Sequence, residues 1–108
     1  MNLRIIKSPS EGTVEMIKRR IALSGQKPVE EHVDAIGLVQ GQMIDMLCAS
    51  DIAEKAVGVH VYDVRGVCPQ HMTLLALFGD TASVADALQE IDNKLKEGKY
   101  SDYSQTYR

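Results

Sequence analysis

The chain has 108 residues, 44% of them apolar and 25% charged, which is the composition of an ordinary globular domain able to build its own core. A net charge of −3 with no clustered basic face argues against nucleic acid as a partner. The longest near-continuous apolar run, Met72 to Phe78, contains Thr73 and is far too short to span a bilayer. Met1-Asn2-Leu3-Arg4 has none of the apolar stretch of a secretory signal, and two cysteines are too few for a disulfide framework. A reducing cytoplasm is the expected compartment.

Leu3 to Ile6 is a short β-like run ended by Ser8-Pro9-Ser10. Thr13 to Leu23 reads as a helix, with Val14, Ile17 and Ile21 on one face and Ser24-Gly25 as its stop. Gln26 to His32 is polar, contains Pro28 and is expected to be a loop. Val33 to Val39 reads as a second strand, ended by Gly41. A helix from about Gln42 to Val57 follows, with Ile44, Leu47, Cys48, Ile52 and Ala56 as its expected buried stripe. Val59 to Val64 and His71 to Phe78 are strand-like and separated only by Arg65 to Gln70, which predicts a hairpin. The second of these runs is apolar on both faces, as a central strand should be. Asp80 is placed to cap a last helix through about Leu95, with Val84, Leu88, Ile91 and Leu95 along one side.

The order β-α-β-α-β-β-α predicts an α+β fold: one mostly antiparallel sheet with helices packed on one face, in a ferredoxin-like arrangement. Residues 1–95 are expected to form a single domain. Beyond them the apolar content falls away in a polar tail, 96–108, whose large groups are Tyr100, Tyr103 and Tyr107, and which is expected to be flexible.

The segment with most chemistry in it is Arg65-Gly66-Val67-Cys68-Pro69-Gln70-His71. Pro69 fixes the chain beside the thiol and Gly66 gives the loop conformational freedom, so Cys68 reads as a presented cysteine rather than a core one. Cys68 and His71 have the C-x-x-H spacing of a zinc half-site, and one chain cannot complete it, because a closed zinc site needs four protein ligands. Cys48 falls within a helical stripe, where a free cysteine is ordinarily a small core residue. A nucleophilic Cys68 assisted by His71 is the enzymatic alternative, and it lacks a third group or an oxyanion hole. His32 and His60 are isolated. Glu30-Glu31 and Glu11 with Glu15 read as solvated charge, and Gly37, Gly41 and Gly58 match no nucleotide fingerprint.

Three stretches in order carry a family resemblance: Ala35-Ile36-Gly37-Leu38-Val39; Ala49-Ser50-Asp51-Ile52-Ala53-Glu54-Lys55-Ala56-Val57-Gly58-Val59; and Leu74-Leu75-Ala76-Leu77-Phe78-Gly79-Asp80 with Ser83-Val84-Ala85-Asp86-Ala87-Leu88. From Ala35 to Ile91 the chain resembles the bacterial microcompartment shell-protein (BMC) domain. The strand and helix that close unpermuted members would here be supplied first, by Leu3 to Leu23, so the chain is similar to the circularly permuted members. The extra N-terminal strand that some of those carry is not expected, since Leu3 follows almost directly on Met1. A cysteine and proline in the pore loop are most similar to the divergent shell proteins of glycyl-radical-enzyme compartments.

The resemblance implies a non-enzymatic, structural protein in the shell of a cytoplasmic microcompartment. Its partners would be further copies in a flat cyclic hexamer, other shell proteins and encapsulated enzymes, with no membrane and no nucleic acid. Arg65, Gly66, Val67, Cys68, Pro69 and Gln70 would line the sixfold pore, and Lys55 would lie at the hexamer edge. Where unpermuted members often carry an arginine between two prolines, this chain has Ile6-Lys7-Ser8-Pro9-Ser10, with Ser8 in the arginine's place. Symmetry would turn Cys68 into a ring of six thiols, and the divergent group's pore is implicated in iron–sulfur binding. The implied cofactor is one [4Fe–4S] cluster per hexamer, shared between subunits, with His71 a weaker ligand candidate. Four cysteines hold such a cluster, so a ring of six must break its symmetry around it. A plain metabolite pore, or a small ferredoxin-like regulatory or ligand-binding domain, are the alternatives.

Overall fold

The computed structural model describes residues 1–30, 32–64 and 72–96. Its two most apolar strands, β2 (Ala35–Gln42) and β4 (Met72–Gly79), lie side by side in the middle of a four-stranded sheet. β1 (Asn2–Lys7) pairs with the outer side of β2 and β3 (Val59–Val64) with the outer side of β4. All three pairings are antiparallel and the order is β1-β2-β4-β3. The expected hairpin is therefore present as β3 and β4.

The register gives the molecule two distinct ends. One rung of the sheet reads Asn2–Gln40–Leu74–Val64, and the rung at the opposite end reads Lys7–Ala35–Gly79–Val59. The five residue steps between them amount to roughly 17 Å along the strands.

Three helices cover this sheet: α1 (Glu11–Ala22), α2 (Met43–Glu54) and α3 (Thr81–Lys96). The start of α1 is fixed by Ser10, whose hydroxyl accepts from the backbone N–H of Thr13 at 3.3 Å. Glu11 in its first turn and Arg19 and Arg20 in its last turn suit the helix dipole. α3 starts at Asp80, whose carboxylate accepts from the backbone N–H of Ser83 at 3.2 Å. Its buried face is the expected one, with Val84 and Ile91 wholly buried and Leu88 nearly so. Each such side chain stabilises the fold by roughly 1.5–3 kcal/mol on burial.

Two expectations are corrected. The helices do not share one face of the sheet: α2 and α3 pack on one side against Ala35, Val39, Leu75 and Leu77, while Ile17 and Ile21 of α1 pack on the other against Ile36, Tyr62, Ala76 and Phe78. The cause is the strands themselves, since β2 and β4 present apolar side chains to both faces and both must be covered. Nor does α2 bury the expected stripe. It buries Met46, Ala49, Ile52 and Ala53, leaving Ile44 and Leu47 at 71% and 67% exposure and Cys48 half-buried. A helix that is apolar around most of its circumference gives no unique stripe from periodicity, and the small Ala49 and Ala53 let it sit close on the sheet.

Two glycines hold the layers in place. A Cβ on Gly37 would lie 2.9 Å from Val84 Cγ1 and 3.3 Å from both Leu88 δ-carbons, so its absence seats α3 directly on β2. Gly58 joins α2 to β3 at φ +81°, a conformation that other residues adopt only with strain.

Candidate functional site

The segment singled out in the sequence, residues 65–71, lies outside the described residues, as do the expected flexible residues of the tail from 97 onward. Val64 ends β3 and Met72 begins β4, so this connection leaves the sheet at the Asn2–Gln40–Leu74–Val64 end. Cys68 is its midpoint, four residues from either strand. α2 begins at the same end, one residue after Gln42, and α3 finishes there, with Leu95 and Asp45 lining one shallow pocket with Met1.

No group of three or more His, Cys, Asp or Glu side chains comes together among the described residues. Cys48 is a free thiol, half-buried on α2. His32, on the far side of the chain, is exposed and lies 3.3 Å from Asp34, and His60 is exposed on β3. The described part of one chain therefore offers Cys68 no ready-made set of co-ligands.

Lys55 lies at the opposite end. It is the C-cap of α2, its backbone N–H donating to Asp51 O at 3.2 Å and its ammonium paired with the Asp51 carboxylate at 2.8 Å. With 72% of its side chain exposed, that pair contributes little to stability. Val57 beside it is 92% exposed. A shallow groove, bounded by Lys55, Ala56, Val57, Ser83 and Asp86, separates the end of α2 from α3. Ser8, at the end of β1, also belongs to this end. It is exposed, has φ +47°, and donates its N–H to Asp34 O at 2.9 Å.

One surface escaped the reading of the sequence. α2 overhangs the outer edge of β3, and between them runs an apolar groove of about 210 Å³ lined by Met43, Met46, Leu47, Glu54, Val61 and Leu75. The outer edge of β3 is partly stitched by residues 24–29. Gln26 Oε1 accepts from the Asp63 N–H at 2.8 Å, and the Tyr62 hydroxyl accepts from the Val29 N–H at 3.1 Å. The signal that could have revealed the surface was the excess of apolar residues in α2 over what a single buried face requires. No helix among the described residues is long and apolar enough to cross a membrane.

No protein-family model matches the chain, and no curated protein does. Solved structures do. The ligand-free structure of the GrpU microcompartment shell protein from Clostridiales bacterium 1_7_47FAA is 51% identical over 91% of this chain and 95% of its own, with a TM-score of 0.70. The ligand-free structure of the GrpU microcompartment shell protein from Pectobacterium wasabiae is 30% identical over 84% of this chain and 99% of its own, with a TM-score of 0.64. Identity at this level over nearly the full length of both relatives places the chain in their family: it belongs to the GrpU microcompartment shell proteins.

Proposed function

We propose that this shell protein works as a cyclic hexamer whose central pore is lined by Arg65 to Gln70 and holds one [4Fe–4S] cluster on Cys68 thiolates from several subunits. The observation that carries this reading is the β3–β4 hairpin: Val64 and Met72 lie at the same end of the sheet, and in the sequence Cys68 stands midway between them. The whole chain has two cysteines, fewer than the four that hold a [4Fe–4S] cluster, so such a cluster would be held between chains. Thiolates are the donors that iron–sulfur clusters select, and rotation about one axis supplies several copies of a single thiol.

The strand order supports the permuted form of the fold. β2-α2-β3-β4-α3 is the first five-sixths of a ferredoxin-like β-α-β-β-α-β unit. The sixth strand, which belongs beside β2, is provided by β1 from the start of the chain. A bound cluster would supply a one-electron carrier at the pore, or be passed through it as cargo, and it would close that pore to metabolites. Lys55, at the other end of the sheet, is assigned to the hexamer edge, where shell proteins meet one another.

Native mass spectrometry of protein purified without oxygen tests the reading. The expected mass is six chains plus one four-iron, four-sulfide cluster. Cys68→Ser is expected to lose the cluster and its visible absorbance and keep the six-chain mass, whereas His71→Ala keeps both. Six bare chains would leave a plain metabolite pore, and zinc without sulfide would transfer Cys68 and His71 to a zinc site. A dimer or trimer would overturn the hexamer.

A further inference from the structure

The two roots of the connection that carries Cys68 are held unequally. β4 has β2 on one side and β3 on the other, whereas β3 is flanked by β4 alone. Met72, at the β4 root, pairs with Gln42 inside the sheet. Val64, at the β3 root, pairs with Leu74 on one side only. Backbone groups on the outer side of such a strand must find partners elsewhere.

At Asp63, one residue before that root, the partners are side chains. Its N–H donates to Gln26 Oε1 at 2.8 Å, and its carbonyl oxygen lies 3.3 Å from the Ser24 hydroxyl. A glutamine amide is chemically a peptide group, so Gln26 stands where the carbonyl of a further strand would be. Pro28 lacks an N–H, which keeps its own segment from pairing as that strand. Ser24 Oγ also lies 2.7 Å from Ile21 O and 3.1 Å from Gln26 Oε1. Its single proton serves one of these oxygens at a time, and the contacts make a continuous path from the last turn of α1 to the β3 root. One residue further back, the Tyr62 hydroxyl accepts from the Val29 N–H at 3.1 Å, while its ring packs edge-on against Phe78 in the core. Residues 24–29 are thus fastened to β3 at two successive positions.

Resting on the cluster reading above for its purpose, we propose that Gln26, seconded by Ser24, is the positioning residue of the Cys68 connection. It acts through the backbone of Asp63, tying the β3 root to α1 so that every copy starts its connection from the same place and in the same direction. Ligands drawn from several chains meet on one cluster only when each is held by its own support. With the roots fixed, the inequality that six thiols around four irons demand is confined to the connection itself.

The test uses the full chain carrying Cys48→Ser, which leaves Cys68 as its single thiol, with a nitroxide spin label on Cys68 and no cluster present. Gln26→Ala is expected to speed amide exchange at Asp63 about fivefold, as the loss of one hydrogen bond does, and to sharpen the spectrum of the label. Exchange at the buried Phe78 and Ile91 is expected to stay as in the parent. Gln26→Glu keeps an oxygen for the Asp63 N–H and is expected to restore both signals. Tyr62→Phe releases Val29 alone and is expected to leave the label unchanged. Faster exchange throughout the core with a lower thermal midpoint would mean a merely structural role, and that result, or a label indifferent to Gln26→Ala, overturns the proposal. Anaerobic loading of the chain with Cys48 retained, using iron and sulfide, completes the test, and Gln26→Ala is expected to take up cluster several-fold less readily. A parent chain that takes up none while the label responds as described would remove the cluster and leave the positioning of the connection standing. Equal uptake by parent and Gln26→Ala would overturn the positioning role and leave the cluster.

Discussion

α2 and α3 lie side by side on the same face of the same sheet, and they treat their apolar residues in opposite ways. α3 buries Val84, Ala87, Leu88 and Ile91 and turns Asp86, Gln89, Glu90 and Asn93 outward. α2 buries Met46, Ala49, Ile52 and Ala53, yet leaves Met43, Ile44 and Leu47 in the open. A helix whose whole task is to stabilise its own chain has the composition of α3. The surplus on α2 leaves the kind of exposed apolar patch that marks an interaction surface. Shell-protein relatives assemble with other shell proteins, and α2 is the helix whose composition exceeds what its own chain buries.

The comparison is broken most forcefully by truncating one side chain on each helix. Ile91, wholly buried on α3, and Ile44, 71% exposed on α2, differ in environment and not in chemistry. Ile91→Ala is expected to cost about 2–5 kcal/mol through lost burial and the cavity left behind. Ile44→Ala should stay within about 0.5 kcal/mol. Urea unfolding at concentrations too low for assembly measures both. Equal losses would mean that α2 is held by its outer face as well, and the contrast between the helices would disappear.

Gly37 tests the seat of α3 alone. An added methyl group would meet Val84 Cγ1 and both δ-carbons of Leu88, on side chains that are themselves packed into the core. Gly37→Ala is expected to destabilise by about 1–3 kcal/mol through overpacking. Gly12 in the first turn of α1 is the control, since a Cβ there meets nothing within 4 Å, and Gly12→Ala should stabilise slightly, by up to about 0.5 kcal/mol. Equilibrium unfolding of the two variants reads opposite signs if the packing is as described. A neutral Gly37→Ala would mean that α3 can ride away from β2.

What the sequence made legible follows from the same contrast. The periodicity of α3 admits one face, and the residues it selects, Val84, Leu88, Ile91 and Leu95, are those packed into the core. The periodicity of α2 admits several, and the stripe through Ile44 and Leu47 was chosen from residues that a single chain leaves exposed. The placement of α1 across the sheet was hidden for another reason. Amphipathic spacing says that a helix covers something, without saying which side of a sheet it covers. A clue was present in Leu74 to Phe78, whose unbroken apolar run required cover on both faces. The candidate site was legible in kind, as a cysteine beside a proline in a hairpin connection. Its remaining ligands could not be read from one chain, because on the proposed reading they are the same residue repeated by symmetry. The groove under α2 was signalled only by the apolar excess of that helix, because its other wall comes from elements distant in sequence.

The smallest expected effect concerns how the two helices begin. Gln42 precedes α2 and makes no side-chain capping bond, while Asp80 caps α3 through Ser83. Hydrogen bonds from Ser83, its side chain first and its backbone N–H next, hold the Asp80 carboxyl below the ordinary aspartate value. A carboxylate held low in the folded chain adds stability that is complete above its unfolded pKa and is lost as pH falls through the lower, folded value. The loss therefore belongs below about pH 4, where an unfolded aspartate takes up its proton. Asp80→Asn keeps an oxygen that can accept from Ser83 and removes the titration. Its thermal midpoint should lie slightly below the wild type near neutrality, where the ionised carboxylate adds its stability, and fall less steeply in acid until the two converge. Identical acid limbs would show that Asp80 holds α3 by shape alone, whereas a shallower limb would give α3 an electrostatic anchor at its start that α2 does not share.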